Sequence, residues 1–228
     1  MEHFESWKDL VNPEFYIKLG GFWLVILIIF AETGLFIGFF LPGDSLLFIS
    51  GIYSVELISS VVGTSFGGFA DTTILATAIA IAAIIGNEVG YWFGYKTGPA
   101  FFKREDSFFF KKKYLFQAQD FFDSHGSLAI ILARFLPIVR TFVPIVAGIV
   151  KMDKKRFLLD NIIGAVLWSY LLVFAGHYLD QLFIVKFGID LKAHLGSIVL
   201  VLVLVTTLPV LLKLIFGKAK DRSSSPHE

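Results

Sequence analysis

A chain of 228 residues that is 56% hydrophobic and only 17% charged falls well below the ~25% charge of soluble domains; its mean hydropathy is +0.74. A chain this short cannot hide so much apolar surface in one globular core. That excludes a soluble enzyme, a nucleic-acid-binding module and a disordered linker, and makes the bilayer the natural solvent. The net charge of +1 says nothing about partners, but the placement of the charges does.

Five apolar stretches reach the ~20 residues of a spanning helix: Phe22–Tyr53, Thr72–Tyr95, Gly126–Val150, Phe157–Leu179 and Leu195–Gly217. The first is preceded by an acidic, aromatic segment without the basic start of a signal peptide, which predicts that it is retained. The first stretch, FAETGLFIGFFLPGDSLLFISG, is interrupted by Pro42-Gly43. The second is a single helix whose small residues, such as Ala76, Ala80 and Ala83, allow neighbours to approach. Gly86, Gly90 and Gly94 continue it as a packing face.

The third stretch, ARFLPIVRTFVPIVAG, is broken by Pro137 and Pro144. The fourth is again a single helix, with Gly164 and Ala165 as small contacts. The last is a plain apolar helix with one proline, Pro209. Proline removes a backbone donor, and in lipid such a break survives only inside protein or beside a wet cavity. The two broken stretches also carry most of the intramembrane charge: Glu32 and Asp44 in the first, Arg134 and Arg140 in the third.

Topology follows from the basic residues. Lys103, Arg104 and Lys111–Lys113 precede the third stretch, and Lys151 and Lys154–Arg156 follow it. Both clusters belong in the cytoplasm by the positive-inside rule, so 126–150 is predicted to dip in and return. Residues 54–71 and 180–194 fit outside, and the tail fits inside.

The expectation is an all-α, polytopic membrane protein with two opposed re-entrant helical hairpins in an inverted repeat, plus a C-terminal transmembrane helix. Its parts within one membrane domain, 1–228, are an N-terminal amphipathic segment (1–21), repeat 1 (22–98), a cytoplasmic interfacial linker (99–125), repeat 2 (126–180), the C-terminal transmembrane helix (195–217) and a cytoplasmic tail (218–228). Broken segments in corresponding positions of inverted halves point to a transport site at the midplane.

Ionisable residues inside a membrane are functional candidates by default. The simplest arrangement brings the hairpin tips together so that two acids meet two arginines. Glu32 and Asp44, with Glu88 as a third titratable group, are candidates for proton coupling. Arg134 and Arg140 can grip a phosphate through paired hydrogen bonds. Pro42, Gly43, Pro137 and Pro144 are the predicted hairpin breaks. Plainer roles stand beside these. Asp44 can cap a half-helix, the arginines can be static partners of the acids, and Asp160 and Asn161 read as boundary residues.

Other chemistries find no support. There is no cysteine, and His3, His125, His177, His194 and His227 lack ligand spacing, so no metal or cofactor is expected. There is no P-loop and no serine elbow.

The segments AETGLFIGFFLPGDSLLFISG, GNEVGYWFGYKTG and ARFLPIVRTFVPIVAG resemble the signatures of the DedA family of bacterial membrane proteins, over about residues 20–180. That family shares its domain with eukaryotic VTT-type lipid scramblases. The resemblance implies lipid transport: return of undecaprenyl phosphate, or movement of a phospholipid, across the cytoplasmic membrane. It also implies that Glu32, Asp44, Arg134 and Arg140 are the essential charges. The expected protein is therefore a proton-coupled flippase or scramblase in the cell inner membrane. Its partners are an anionic lipid and protons, not nucleic acid, and a homo-oligomer is left open. The rivals are a proton-coupled small-ion exchanger and a non-transporting assembly factor. An enzyme is least favoured.

Overall fold

A computed structural model describes residues 13–35, 43–103, 124, 127–198, 200 and 201. These residues hold no strand. Helix α1 (Pro13–Gly34) is kinked at Gly21, where φ is 55°. Helices α2 (Gly43–Ile52) and α3 (Ser54–Val62) meet at Tyr53 with a bend of 77°. Helices α4 (Gly68–Lys103) and α7 (Lys154–Phe187) are long. Between them lie α5 (Ser127–Ala133) and α6 (Pro137–Ile149). A 3₁₀ turn, Leu191–His194, follows α7.

Among the described residues, two helices have the length and composition to cross a bilayer, Gly68–Gly98 and Lys154–Phe187, or three spans if α2 and α3 count as one bent span. At 1.5 Å per residue, the 31 and 34 residues of the first two exceed the ~30 Å of hydrocarbon. By the same rise, the 10 residues of α2 and 13 of α6 cover roughly half that depth or a little more. Ile81 and Ile85 on α4 and Leu167 and Leu171 on α7 are exposed. Apolar faces this broad belong against lipid.

Local sequence sets the ends. Asp153 caps α7 by accepting from the Arg156 N–H at 2.9 Å, and Gly188, with φ 64°, ends it in the left-handed region, which glycine enters without steric cost. Asp71, in the first turn of α4, accepts from Ser65 Oγ at 2.5 Å and the Phe66 N–H at 3.0 Å, folding the preceding loop onto the helix.

The packing is reciprocal. The spans α4 and α7 are antiparallel: Gly68 lies against His177, Thr77 bonds Tyr170, the Asn87 and Asn161 side chains meet 3.0 Å apart, and the Tyr91 hydroxyl donates to the Met152 carbonyl at 2.5 Å. Helix α2 does not lie along the span that follows it; it runs beside α7, through Asp44–Trp168, Gly51–Val173 and Ser54–His177. Helix α6 runs beside α4 through Gly90–Pro144, Gly94–Ile145 and Gly98–Ile149. Each short helix thus crosses over to the span of the other half. Meanwhile Gly34 of α1 packs on Gly86 of α4, and Arg134, just after α5, packs on Gly164 of α7. A Cβ added at Gly94 would fall on the Ile145 carbonyl, and one at Gly148 on the Tyr91 carbonyl. The glycine face predicted on the second stretch is therefore the seat of α6 and the end of α1.

Several predicted breaks are corrected. Pro144 does not break α6; the helix runs through it from 137 to 149. The donor it lacks is tolerated because Pro144 is buried against Gly90. Pro137 is the first residue of α6, where its missing N–H has no helical partner in any case. The interruption is the turn at 134–136 just before it. Gly43 likewise opens α2, whereas Pro42 lies outside the described residues. The bend at Tyr53 was not foreseen. The C-terminal helix is described only to residue 201, and most of the linker 99–125 and the segment 1–21 lies outside the described residues.

Candidate functional site

The ends of the short helices converge in the protein interior. Glu32 is near the end of α1, Asp44 in the first turn of α2, and Arg140 in the first turns of α6. One guanidinium serves both acids: Arg140 Nη1 donates to Asp44 Oδ1 at 2.5 Å and Nη2 donates to Glu32 Oε1. The planar fork makes this two-armed grip available to arginine and not to lysine. Glu32 is 1% exposed and Arg140 6%, so water screens little of the interaction.

Gly43 is required here, because a Cβ at that position would collide with the Glu32 carboxylate. Trp168, buried on α7, completes the group. Its indole N–H donates to Asp44 Oδ1 at 2.9 Å, and its ring lies 4.9 Å from the Arg140 guanidinium, within cation–π range. Asp44 is thus more than a helix cap.

Arg134 does not join this ion-pair group. It is 3% exposed, and among the described residues no carboxylate pairs with it. Its Nη2 donates to the side-chain oxygen of Asn161 and, at 3.3 Å, to the Asn161 carbonyl. Asn87, with its amide oxygen toward Arg134, accepts from the same Nη2 at 2.7 Å and donates to the Thr33 carbonyl at 3.0 Å. Asn161 in turn donates to the Ile84 carbonyl at 3.1 Å. The expectation that two acids meet two arginines is corrected: both acids meet one arginine, and the other is held by neutral amides. The two arginines lie within electrostatic reach of each other.

Glu88 stands apart. Its neighbour Asn87 faces the interior, while Glu88 lines an open cavity of about 340 Å³ with Tyr91, Trp92, Tyr95, Lys96 and Lys154. Among the described residues, no cluster of His, Asp and Glu has the form of a metal site.

Two contributors escaped the sequence reading. Asp160 and Asn161 are both buried, Asn161 fully, and are not boundary residues. Trp168 went unremarked, although an indole N–H in a membrane helix needs a partner. The usable signal for both was polar capacity on the side of α7 that carries Gly164 and Ala165.

The chain matches the model of the VTT domain over residues 56–178. It is similar to the protein DedA of Escherichia coli K12, 35% identical over 201 residues covering 87% of this chain and 85% of that protein. It is 37% identical over 209 residues to an uncharacterised membrane protein of Mycobacterium tuberculosis, covering 89% of this chain and 85% of the relative. The inner membrane protein YqjA of Escherichia coli is 29% identical over 177 residues, 78% of this chain and 74% of its own length. No solved structure matches the chain significantly. With a VTT domain over more than half its length and relatives of this identity along almost all of it, the chain belongs to the DedA family of membrane proteins.

Proposed function

We propose that this protein is a transporter, not an enzyme, that moves an isoprenoid phosphate such as undecaprenyl phosphate, or a related anionic lipid, across the cytoplasmic membrane in exchange with the proton state of its core. The observation that carries this reading is Arg134: a buried guanidinium held by amide oxygens, with no carboxylate among the described residues to match it. Amides orient such a cation without cancelling its charge, which leaves it available to an anion.

Charge counting supplies the coupling. Glu32 and Asp44 contribute two negative charges, and Arg140 with the neighbouring Arg134 two positive ones, so these four charges sum to zero when no anion is bound. A proton on Glu32, whose Oε2 is buried without a partner among the described residues, leaves one net positive charge. That charge matches a phosphate monoanion, and loss of the proton expels it. Glu88, in its open cavity, fits the cytoplasmic end of the proton route.

The reciprocal seating of α2 on α7 and α6 on α4 supports two opposed re-entrant hairpins in an inverted repeat, a design that places transport sites at the midplane. The basic residues around Lys154–Arg156 orient that pole to the cytoplasm.

The test is flux of a labelled polyprenyl phosphate in proteoliposomes, with and without a pH gradient. Wild type is expected to move it faster with the gradient. Glu32→Gln should lose the gradient's effect and Arg134→Gln should lose transport. Wild-type flux in Arg134→Gln would overturn the phosphate reading.

A further inference from the structure

At the opposite pole from Lys154 the interior holds a second polar group that the transport reading does not use. His177 lies on α7, 6% exposed. Its Nδ1 is 3.2 Å from Ser54 Oγ, Ser54 Oγ is 3.0 Å from Thr72 Oγ1, and the Thr72 hydroxyl donates to the Gly68 carbonyl at 2.6 Å. Its Nε2 is 3.0 Å from the amide nitrogen of Gln181.

Donor counting fixes the direction of this chain. The Thr72 proton is committed to Gly68, so Ser54 must donate to Thr72. Ser54 must then accept from His177, which places the ring proton on Nδ1. Gln181 nitrogen can only donate, so Nε2 carries the lone pair. The basic nitrogen therefore faces Gln181, which is exposed, while the bonded nitrogen faces the interior.

Burial opposes a charged ring here, and nearby carboxylates work against that opposition. Asp180 on the same helix, Asp71 on α4 and Glu56 on α3 act electrostatically on His177. Asp180 Oδ1 is buried without a hydrogen-bond partner among the described residues. Asp190 and Lys192 act in turn on Asp180, but Lys192 is engaged by Glu56 at 2.5 Å. Four carboxylates thus share one lysine and one imidazole.

The geometry points to His177 Nε2 as a proton-binding site on this acidic pole, separate from the Glu32–Asp44–Arg140 group, which takes a proton from the adjoining water and holds it as imidazolium between Ser54 and Gln181. One N–H bond forms at Nε2, and only the Gln181 amide must turn, to present its oxygen. The Nδ1–H···Ser54 bond is the same in both states. Because Ser54 opens α3, Thr72 lies near the start of α4 and His177 lies on α7, the added charge pulls three elements onto the acids. The pole is tighter when protonated. The inference stands whether or not the protein moves a lipid.

The test uses the full chain in lipid nanodiscs with ¹⁵N-labelled histidine. The resonance lost in His177→Asn, or shifted in Gln181→Met if the first variant does not fold, identifies the ring. The expected result is an Nδ1–H tautomer at high pH and titration between about pH 5 and 8. A ring that stays neutral to about pH 5, or the Nε2–H tautomer, overturns the site. The chain has no cysteine, so Leu57→Cys, buried on α3, and Ser60→Cys, exposed on it, report tightness as the ratio of their thiol labelling rates. That ratio is expected to fall several-fold from pH 8 to pH 5.5 and to be flat with His177→Asn. The same fall in the presence of His177→Asn overturns the tightening.

Discussion

The two buried arginines lie six residues apart and within electrostatic reach of each other, yet their surroundings differ in kind. Arg140 is held by charge: two carboxylates from two other helices, with an indole beneath. Arg134 is held by dipoles: the amides of Asn87 and Asn161. A charge-paired arginine ties helices together, because removing it strands its partners. An amide-held arginine strands nothing ionic when it is removed, and its charge is not cancelled while it is present. On the proposed reading the first holds the fold and the second takes the ligand.

Arg140→Ala tests this contrast most severely. It leaves the buried Glu32 and the partly buried Asp44 together with no cation, and breaking a buried pair in this way costs about 3–5 kcal/mol. Unfolding in detergent should show the loss, and Glu32→Gln added to Arg140→Ala should recover part of it. Near-wild-type stability in the single variant would mean that Arg140 does not brace the helices.

Asn161→Ala comes next. It removes an acceptor from Arg134 and the donor to the Ile84 carbonyl, leaving buried groups unsatisfied at about 1–3 kcal/mol, again read by unfolding. Trp168→Phe keeps a ring beneath Arg140 and deletes the hydrogen bond to Asp44. A loss of about 1 kcal/mol is expected, with a larger loss meaning that the indole holds Asp44 in place.

The smallest effect on stability belongs to Arg134→Gln. The neutral amide can still bond Asn87 and Asn161, so stability should change by less than about 1 kcal/mol. Affinity for a lipid phosphate, titrated on the purified protein, should fall at least tenfold, about 1.4 kcal/mol. If this variant instead matches Arg140→Ala in instability, the contrast between the two arginines disappears.

Much of this was legible in the sequence. The long spans follow from apolar length alone, and the glycines at 86, 90 and 94 follow from their spacing. Glu32, Asp44, Arg134 and Arg140 stand out because an ionisable residue in an apolar run has few explanations. What was not legible is pairing. Charge says that acids and arginines should meet, but not that one fork reaches both acids, because that depends on which ends of α1, α2 and α6 coincide. Pro144 misled for a related reason: a proline breaks an isolated helix, and only packing against Gly90 shows that this one does not. Asn161 and Trp168 are neutral, so no charge in an apolar run announced them.

The crossing of α2 to α7 and α6 to α4 has a consequence for how the chain is made. Asp44 meets Trp168 across 124 residues of sequence. When the ribosome has delivered α2, the helix it will lie against is still unsynthesised, and Gly51 and Glu32 have no seat. The first half must wait at the insertion machinery, or beside lipid, with a buried acid uncovered and its arginine not yet made. Such long-range closure is slow and exposes incomplete surfaces. Expressing residues 1–103 alone should therefore yield a product that membrane proteases remove, and supplying the remainder as a second polypeptide should rescue it.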